Sequence, residues 1–167
     1  MEWDLYPFYA SFSTAIYMFT GSYEHTLDTK GRLSVPSKFR DVLAGKGDDR
    51  LMITNYIFNN LRCLEVYPID AWLRFLEEVR KMNRFDSRTS VLENYYIASA
   101  RECSFDTHGR ILIPPVLRKY ADLKRDVILS GATDKFRVWD QDAWAKIFGE
   151  AEGALMQDPN YLADLKL

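Results

Sequence analysis

The chain has 167 residues, of which 47% are hydrophobic, so it is long and apolar enough to bury one core or two cores in contact. Its 22 lysine and arginine residues nearly balance its 24 aspartate and glutamate residues, which leaves a formal charge of -2. This balance excludes a strongly basic protein, so any binding to nucleic acid must depend on local clusters of positive charge.

Residues 1–17 are predicted to be an N-terminal extension that is disordered or not native. The segment is rich in aromatic residues but has no helical or strand periodicity, and Met18 follows it as a second candidate start. It lacks the positive charge that begins a signal peptide, and no apolar run of the sequence is long enough for a membrane span. We therefore expect a cytoplasmic protein without membrane contact.

From Met18 onward the strands and helices can be predicted in order. Two short strands flank a turn at 28–31, and a short helix begins at Pro36, whose fixed φ suits a first helical position. The next elements are a hairpin of strands at 51–56 and 61–67, a helix over about 70–82 and a second helix over about 87–100. The same order then starts again at Arg101, and a last helix begins at about Gln141.

Two blocks of the sequence occur twice, in the same order. LDTKGRLSVPSKFR returns as FDTHGRILIPPVLR, and LEVYPIDAW returns as FRVWDQDAW. This indicates a duplication, and because two copies cannot build a solenoid, we expect them to pack as a pseudo-two-fold pair. The predicted units are a first repeat at 18–82, a connecting helix at 83–100, a second repeat at 101–148 and a C-terminal helical tail at 149–167.

The segments MFTGSYEHTLDTKGRLSVPSKFR, ECSFDTHGRILIPPVLRKYADL and VILSGATDKFRVWD resemble the MraZ family of bacterial transcription regulators, and the likeness extends over essentially all of residues 18–167. Its most specific element is a paired Asp-x-x-Gly-Arg turn, followed in both repeats by a proline that opens a helix. The resemblance implies an α+β fold with a tandem SpoVT-AbrB-type, swapped-hairpin, β-barrel-like core, pseudo-two-fold symmetry and flanking helices.

The resemblance also implies a function. It implies a sequence-specific regulator that contacts double-stranded DNA through the paired turns, forms ring-shaped homo-oligomers and lies in the cytoplasm at the nucleoid. The expected targets are repeats in the promoter of the division and cell-wall gene cluster in which the family's own gene lies first.

The predicted DNA contacts lie in and after the two turns. By the resemblance, Lys30 and Arg32 come first, because the planar fork of arginine suits both phosphate oxygens and the edge of guanine. His108 and Arg110 are the counterparts in the second repeat, where a mostly neutral histidine replaces the lysine. The other predicted contacts are Lys38, Arg40 and Arg118.

A purely structural role is the alternative for several of these residues. Asp28, Gly31, Asp106 and Gly109 are predicted to shape the turns. Each aspartate lies four residues before its arginine, so an ion pair could pin each hairpin without any ligand. We favour this role for the aspartates and DNA contact for Arg32. For Arg40 and Arg118, which lie on short helices, a structural role in capping the helix or pairing with acids and a role in DNA contact are equally open.

Other classes of function find little support in the sequence. An enzyme would need a nucleophile with a base, a metal cluster or a phosphate loop, and the chain offers only His25 and His108 and no glycine-rich phosphate loop. Cys63 and Cys103 match no zinc spacing and are expected to be free thiols. We therefore expect no catalytic residue, metal, cofactor or small-molecule substrate. A ring-forming scaffold that binds proteins and not DNA is the alternative function.

Overall fold

The structure of the protein is a computed structural model, and it describes residues 18–165. The prediction for residues 1–17 lies outside the described residues. Within 18–165 the chain forms eight strands, five α-helices and one π-helical turn. The strands are β1 (Ser22–Thr26), β2 (Arg32–Ser34), β3 (Leu51–Phe58), β4 (Leu61–Pro68), β5 (Arg101–Cys103), β6 (Arg110–Leu112), β7 (Asp126–Gly131) and β8 (Phe136–Asp140). The helices are α1 (Ser37–Lys46), α2 (Ile69–Lys81), α3 (Ser87–Leu92), α4 (Pro115–Tyr120) and α5 (Gln141–Gln157), and the π-helical turn (Glu93–Ile97) follows α3.

The predicted α+β class is confirmed, and three details of the prediction need correction. Pro36 lies one residue before α1 as its cap, so the helix itself begins at Ser37. The single helix predicted over 87–100 is wrong in its second half, where the wider turn places the Tyr96 carbonyl against the Thr54 hydroxyl, which donates to it. α5 runs without a break across residue 148, where the second repeat was predicted to end.

Six strands form one antiparallel sheet in the order β1-β7-β8-β4-β3-β5, and β2 and β6 form a separate two-stranded ribbon. The outer strands are exchanged between the two halves of the chain. β1 pairs with β7, about 100 residues later, and β5 pairs with β3 of the first half. Each half therefore completes the sheet of the other, while closure of this sheet into a barrel-like core stays a prediction.

The strand registers reveal a pseudo-two-fold axis. In the middle of the sheet, Glu65 pairs with Arg137, and these two residues occupy the same position of the duplicated LEVYP and FRVWD segments. In the ribbon, Leu33 pairs with Ile111, which are also equivalent residues. A pseudo-two-fold axis of the strand pairing therefore passes through both pairs.

Glu65 and Arg137 form a buried ion pair on this axis. Nε of Arg137 donates to Oε1 of Glu65 at 3.0 Å, Nη2 lies at the same distance from that oxygen, and the Tyr67 hydroxyl donates to Oε2 at 2.6 Å. Because the carboxylate has a partner on both oxygens, its burial leaves no acceptor unsatisfied. Sequence reasoning did not find this pair.

One hydrophobic core connects the two halves. Phe19 and Phe39 of the first half pack against Phe136 of the second, with ring centroids 5.1–5.3 Å apart. Leu33 and Ile111 of the ribbon are buried in the same cluster. The ribbon is therefore fixed to the core by one face, which leaves its other face for contacts outside the molecule.

Candidate nucleic-acid interface

The outward face of the β2–β6 ribbon carries one arginine from each repeat. Arg32 pairs with Leu112 and Ser34 pairs with Arg110, on either side of the buried pair of Leu33 and Ile111. Side chains alternate between the faces of a strand, so Arg32 and Arg110 share the outward face as diagonal neighbours, about 7–8 Å apart. The fold thus brings together two arginines that lie far apart in the sequence.

The turn before each arginine is built in the same way twice. In the first turn, Oδ1 of Asp28 accepts from the backbone N–H groups of Lys30 and Arg32, both at 2.9 Å. Oδ2 of Asp28 accepts from Nε of Arg32 at 2.6 Å, and the Asp28 carbonyl accepts from the Gly31 N–H at 2.9 Å. We call residues 28–31 the first tip.

The second tip, residues 106–109, repeats these contacts. Oδ1 of Asp106 accepts from the N–H groups of His108 and Arg110 at 2.8 and 3.0 Å, and Oδ2 accepts from Nε of Arg110 at 2.8 Å. The Asp106 carbonyl accepts from the Gly109 N–H at 3.1 Å. The predicted structural role of both aspartates is therefore visible in the contacts that they make.

These hydrogen bonds lower the pKa of both aspartates. The pKa of Asp28 lies below its ordinary value, chiefly because its carboxylate accepts from the Arg32 backbone, and the corresponding bond from Arg110 lowers the pKa of Asp106 to about 2. A carboxyl with a depressed pKa stabilises the fold above its unfolded-state pKa, and that contribution is lost as the pH falls through the folded-state value. Both tips therefore keep their ion pairs at neutral pH.

The ion pairs orient the arginines without using up their donors. Each guanidinium has five N–H groups, and only Nε donates to an aspartate. Within residues 18–165 no other side chain accepts from the two guanidinium groups. The side chain of Arg32 is 36% exposed and that of Arg110 is 27% exposed. Pinning of the hairpin and contact with a ligand are therefore compatible roles for the same arginine.

Arg40 and Arg118 lie against the tip of the opposite repeat. A Cβ atom built on Gly31 would meet the Arg118 guanidinium at 2.5–2.8 Å, and one built on Gly109 would meet the Arg40 Nη1 at 2.6 Å. In the described part of the chain neither arginine forms an ion pair with a carboxylate. Each arginine instead packs on the glycine of the opposite tip, a contact that sequence reasoning missed.

Backbone hydrogen bonds cross between the halves at the same two places. The Ile113 N–H donates to the Gly31 carbonyl at 2.9 Å, and the Val35 N–H donates to the Gly109 carbonyl at 3.3 Å. These bonds extend the ribbon beyond its three paired residues on each strand. The two tips, the ribbon and the two crossing arginines therefore form one connected unit.

Replacing Gly31 with alanine is expected to destabilise this unit more than the same change at Gly47. Both glycines have positive φ, +83° and +72°, which costs an alanine about 1–2 kcal/mol. At Gly31 the new methyl group also forces the guanidinium end of the flexible Arg118 side chain to move, which adds about 0.5–1.5 kcal/mol, whereas no atom lies within 4 Å at Gly47. Urea unfolding of the two variants measures the difference. Equal losses of stability would show that Arg118 does not pack on the first tip.

The remaining predicted contacts lie on the surface around the ribbon. Lys30 and His108 are exposed at the two tips, and the His108 Nδ1 lies 3.3 Å from the Thr107 hydroxyl. Lys38 is exposed on α1, and no described hydrogen bond joins its side chain to a tip. The structure therefore groups six predicted residues at the ribbon and leaves Lys38 beside them. The six residues are Lys30, Arg32, Arg40, His108, Arg110 and Arg118.

Lys124 and Arg125 are two further cations that sequence reasoning missed. They lie beside the first tip, because the Leu27 N–H donates to the Arg125 carbonyl at 2.7 Å. Neither residue belongs to the duplicated blocks that drew attention to the tips. Comparing positions where the two halves differ, and not only where they agree, would have found them.

Two other kinds of site are absent from the described residues. Among residues 18–165, no three His, Cys, Asp or Glu side chains come together as a metal site would require. No helix in the same range has both the length and the apolar composition of a membrane span. Cys63 is buried, Cys103 is partly buried, and both are free thiols, as predicted.

Comparison with known proteins gives consistent matches along the chain. The family model described as "MraZ protein, putative antitoxin-like" matches residues 18–94 and 96–165. A protein named transcriptional regulator MraZ from Syntrophobacter fumaroxidans is 40% identical over 126 residues, which cover 75% of this chain and 81% of the relative. A protein of the same name from Desulfitobacterium hafniense is 36% identical over 89% of this chain and 99% of its own length. Another from Pseudomonas aeruginosa is 37% identical over 88% of this chain and 95% of its own length.

Proposed function

The chain belongs to the MraZ family, and on this premise we propose that it is a sequence-specific DNA-binding transcriptional regulator whose β2–β6 ribbon enters the major groove. The observation that carries the proposal is the outward pair of Arg32 and Arg110 on a ribbon fixed to the core. The major groove, about 12 Å wide, admits a two-stranded β-ribbon. The names of the relatives agree with a regulator and not with an enzyme.

Each predicted contact has a role in this proposal. Arg32 and Arg110 donate through their terminal nitrogens to base edges or phosphates, while Asp28 and Asp106 hold them in place. Lys30 and His108, exposed at the tips, contact the phosphate backbone on the two sides of the groove. The further cations that flank the ribbon are Lys38, Arg40 and Arg118.

The strand exchange supports a more specific assignment of the fold. In the proposal, the pairing of β1 with β7 and of β5 with β3 represents the swapped-hairpin arrangement of a tandem SpoVT-AbrB-type fold. The two repeats then correspond to the two halves that the axis relates. An experimental structure whose outer strands paired within their own repeats would contradict this assignment.

We also propose that the chain assembles into a ring-shaped homo-oligomer. Apolar side chains are exposed on and after α5, a helix with no fully buried residue, as expected for a contact surface between copies. These side chains are Phe148, Leu155, Met156, Tyr161 and Leu165. Several ribbons on one ring would raise avidity by roughly 10²–10⁴ without new contacts, which compensates for the few cations on each copy.

The proposed targets are repeats in the promoter of the division and cell-wall gene cluster that contains the chain's own gene. The protein would then work in the cytoplasm at the nucleoid. A ring suits such targets, because neighbouring ribbons can bind neighbouring repeats of one promoter at the same time.

A salt titration tests the proposal against the alternative of a protein-binding scaffold. We expect the purified full chain to shift a duplex taken from directly upstream of its own gene, and the affinity to fall steeply as the salt concentration rises. The physical reason is that each phosphate contact releases counterions, so that log K falls with log salt by about 0.9 per contact. Fluorescence anisotropy with an unrelated duplex of equal length is the control for specificity. No shift at low salt would favour the scaffold.

A further inference from the structure

A cleft of about 580 Å³ opens beside the first tip. Its walls are formed by the end of β1, by the first tip and by the segment that leads from α4 to β7. The polar residues that line it are Thr26, Asp28, Thr29, Arg118, Lys124 and Arg125. Three cationic side chains therefore share a cleft with two hydroxyl groups and one carboxylate.

The one carboxylate in the cleft, that of Asp28, is already hydrogen-bonded within the first tip. Asp28 accepts from two backbone N–H groups and from Nε of Arg32, so its charge is balanced within the tip. Glu24 and Asp126 line a neighbouring cleft with His25 and not this one. Among the described residues, Asp142 is the one acid whose side chain pairs with Lys124, Arg125 or Arg118 of the cleft.

The cations have few partners of their own. Within the described residues, the buried Nε of Arg118 has no hydrogen-bond acceptor, and Arg125 makes no ion pair. Lys124 is 63% exposed, and its Nζ lies 3.8 Å from an Asp142 carboxylate that is itself 80% exposed. An exposed ion pair at this distance contributes little and is readily exchanged for another anion. The cleft thus offers donors to an anion without breaking a strong internal contact.

The positions of the first half that are equivalent to Lys124 and Arg125 carry acidic residues. In the strand registers, Leu51 pairs with Pro68 and Val127 pairs with Asp140, and Pro68 and Asp140 are equivalent in the duplicated segments. Leu51 therefore corresponds to Val127. Three residues earlier, Asp48 corresponds to Lys124, and two residues earlier, Asp49 corresponds to Arg125. The two halves therefore differ at these positions, with two cations in one half and with Asp49 and an Asp48–Arg50 ion pair in the other.

We infer that the cleft binds a phosphodiester group of duplex DNA, on the side of the first tip only. The inference rests on the proposed function, because a ribbon in the major groove has a phosphate backbone along both of its sides. Beside the first tip that backbone meets Arg118, Lys124 and Arg125. At the equivalent positions of the other half stand Asp48, which is paired with Arg50, and Asp49, so the second tip lacks counterparts of Lys124 and Arg125. The two tips of one protomer therefore attract the phosphate backbone unequally, so the protomer has one preferred orientation on the duplex.

The test uses the full chain with Lys124→Gln and Arg125→Gln together. Fluorescence anisotropy on the duplex from upstream of the chain's own gene gives the affinity at several salt concentrations. We expect the slope of log K against log salt to become shallower by about 0.9 for each lost contact and for each bound protomer. The matched control is Arg80→Gln with Lys81→Gln, which removes the same charge from the exposed face of α2. A further variant, Asp49→Arg, adds a cation at the position equivalent to Arg125 and is expected to steepen the slope.

The outcomes are distinguishable. A shallower slope for the Lys124 and Arg125 variant, with the control unchanged, supports the cleft. Equal effects in variant and control mean that only the overall charge matters, and they overturn the inference while leaving the proposed function intact. A wild-type chain without salt-dependent DNA binding overturns the proposed function itself. All substituted side chains are exposed, and thermal unfolding verifies that each variant is folded.

Discussion

DNA affinity is expected to fall by at least about 30-fold when Arg32→Ala and Arg110→Ala are combined. Each arginine lies on the outward face of one ribbon strand, and a bidentate contact to a base is worth about 1–3 kcal/mol. Two such contacts sum to roughly 2–6 kcal/mol, and each 1.4 kcal/mol is a factor of ten. Fluorescence anisotropy on the upstream duplex measures the loss.

Two further variants make this result interpretable. Arg80→Ala with Arg88→Ala removes the same charge from exposed arginines on α2 and α3, and it is expected to leave the affinity nearly unchanged. Arg32→Lys with Arg110→Lys keeps the charge but removes the planar fork, so it separates phosphate attraction from recognition of bases. Undiminished DNA binding by the double alanine variant would show that the ribbon arginines do not contact DNA.

Phe39→Ala is expected to have the largest effect on stability. The Phe39 side chain is 1% exposed, and it packs against Phe19, Tyr23 and Phe136 with ring centroids 5.1–5.2 Å apart. Removing a buried aromatic ring costs about 3–5 kcal/mol, since the lost contacts and the remaining cavity both count. Because this cluster joins the two halves, we expect one cooperative transition at a lower denaturant concentration, as measured by urea unfolding.

The control for this prediction is an exposed phenylalanine of the same chain. Phe85 is 88% exposed, so Phe85→Ala should change the stability by less than about 0.5 kcal/mol. Phe39→Leu, which keeps much of the volume, should lie between the two. If Phe39→Ala instead unfolds in two separate steps, the halves have independent cores and the description of a shared core is wrong.

The local structure of this protein could be predicted from its sequence because the signals are local. The Asp-x-x-Gly-Arg turns, the prolines before α1 and α4 and the duplicated blocks each act within a few residues. The same signals identified the two aspartates as shaping residues, and the contacts of Asp28 and Asp106 agree. The π-helical turn escaped prediction, because it depends on a contact with Thr54, far away in the sequence.

Pairings between the halves could not be read from the sequence. A duplicated strand fits its own repeat or the other repeat equally well, since both offer the same pattern of apolar residues. For the same reason the sequence does not tell whether Arg118 packs on its own tip or on the first one. The cations of the cleft were missed because Lys124 and Arg125 have no counterpart of the same charge in the first half.

The ion pair of Glu65 and Arg137 on the pseudo-two-fold axis restricts what each half can associate with. If two first halves came together in the same geometry, two glutamates would meet at a buried position, and both could not keep their charge. Two second halves would bring two guanidinium groups together. The opposite charges at these equivalent positions therefore make the two halves complementary. They favour the association of a first half with a second half over a symmetric dimer of two identical halves.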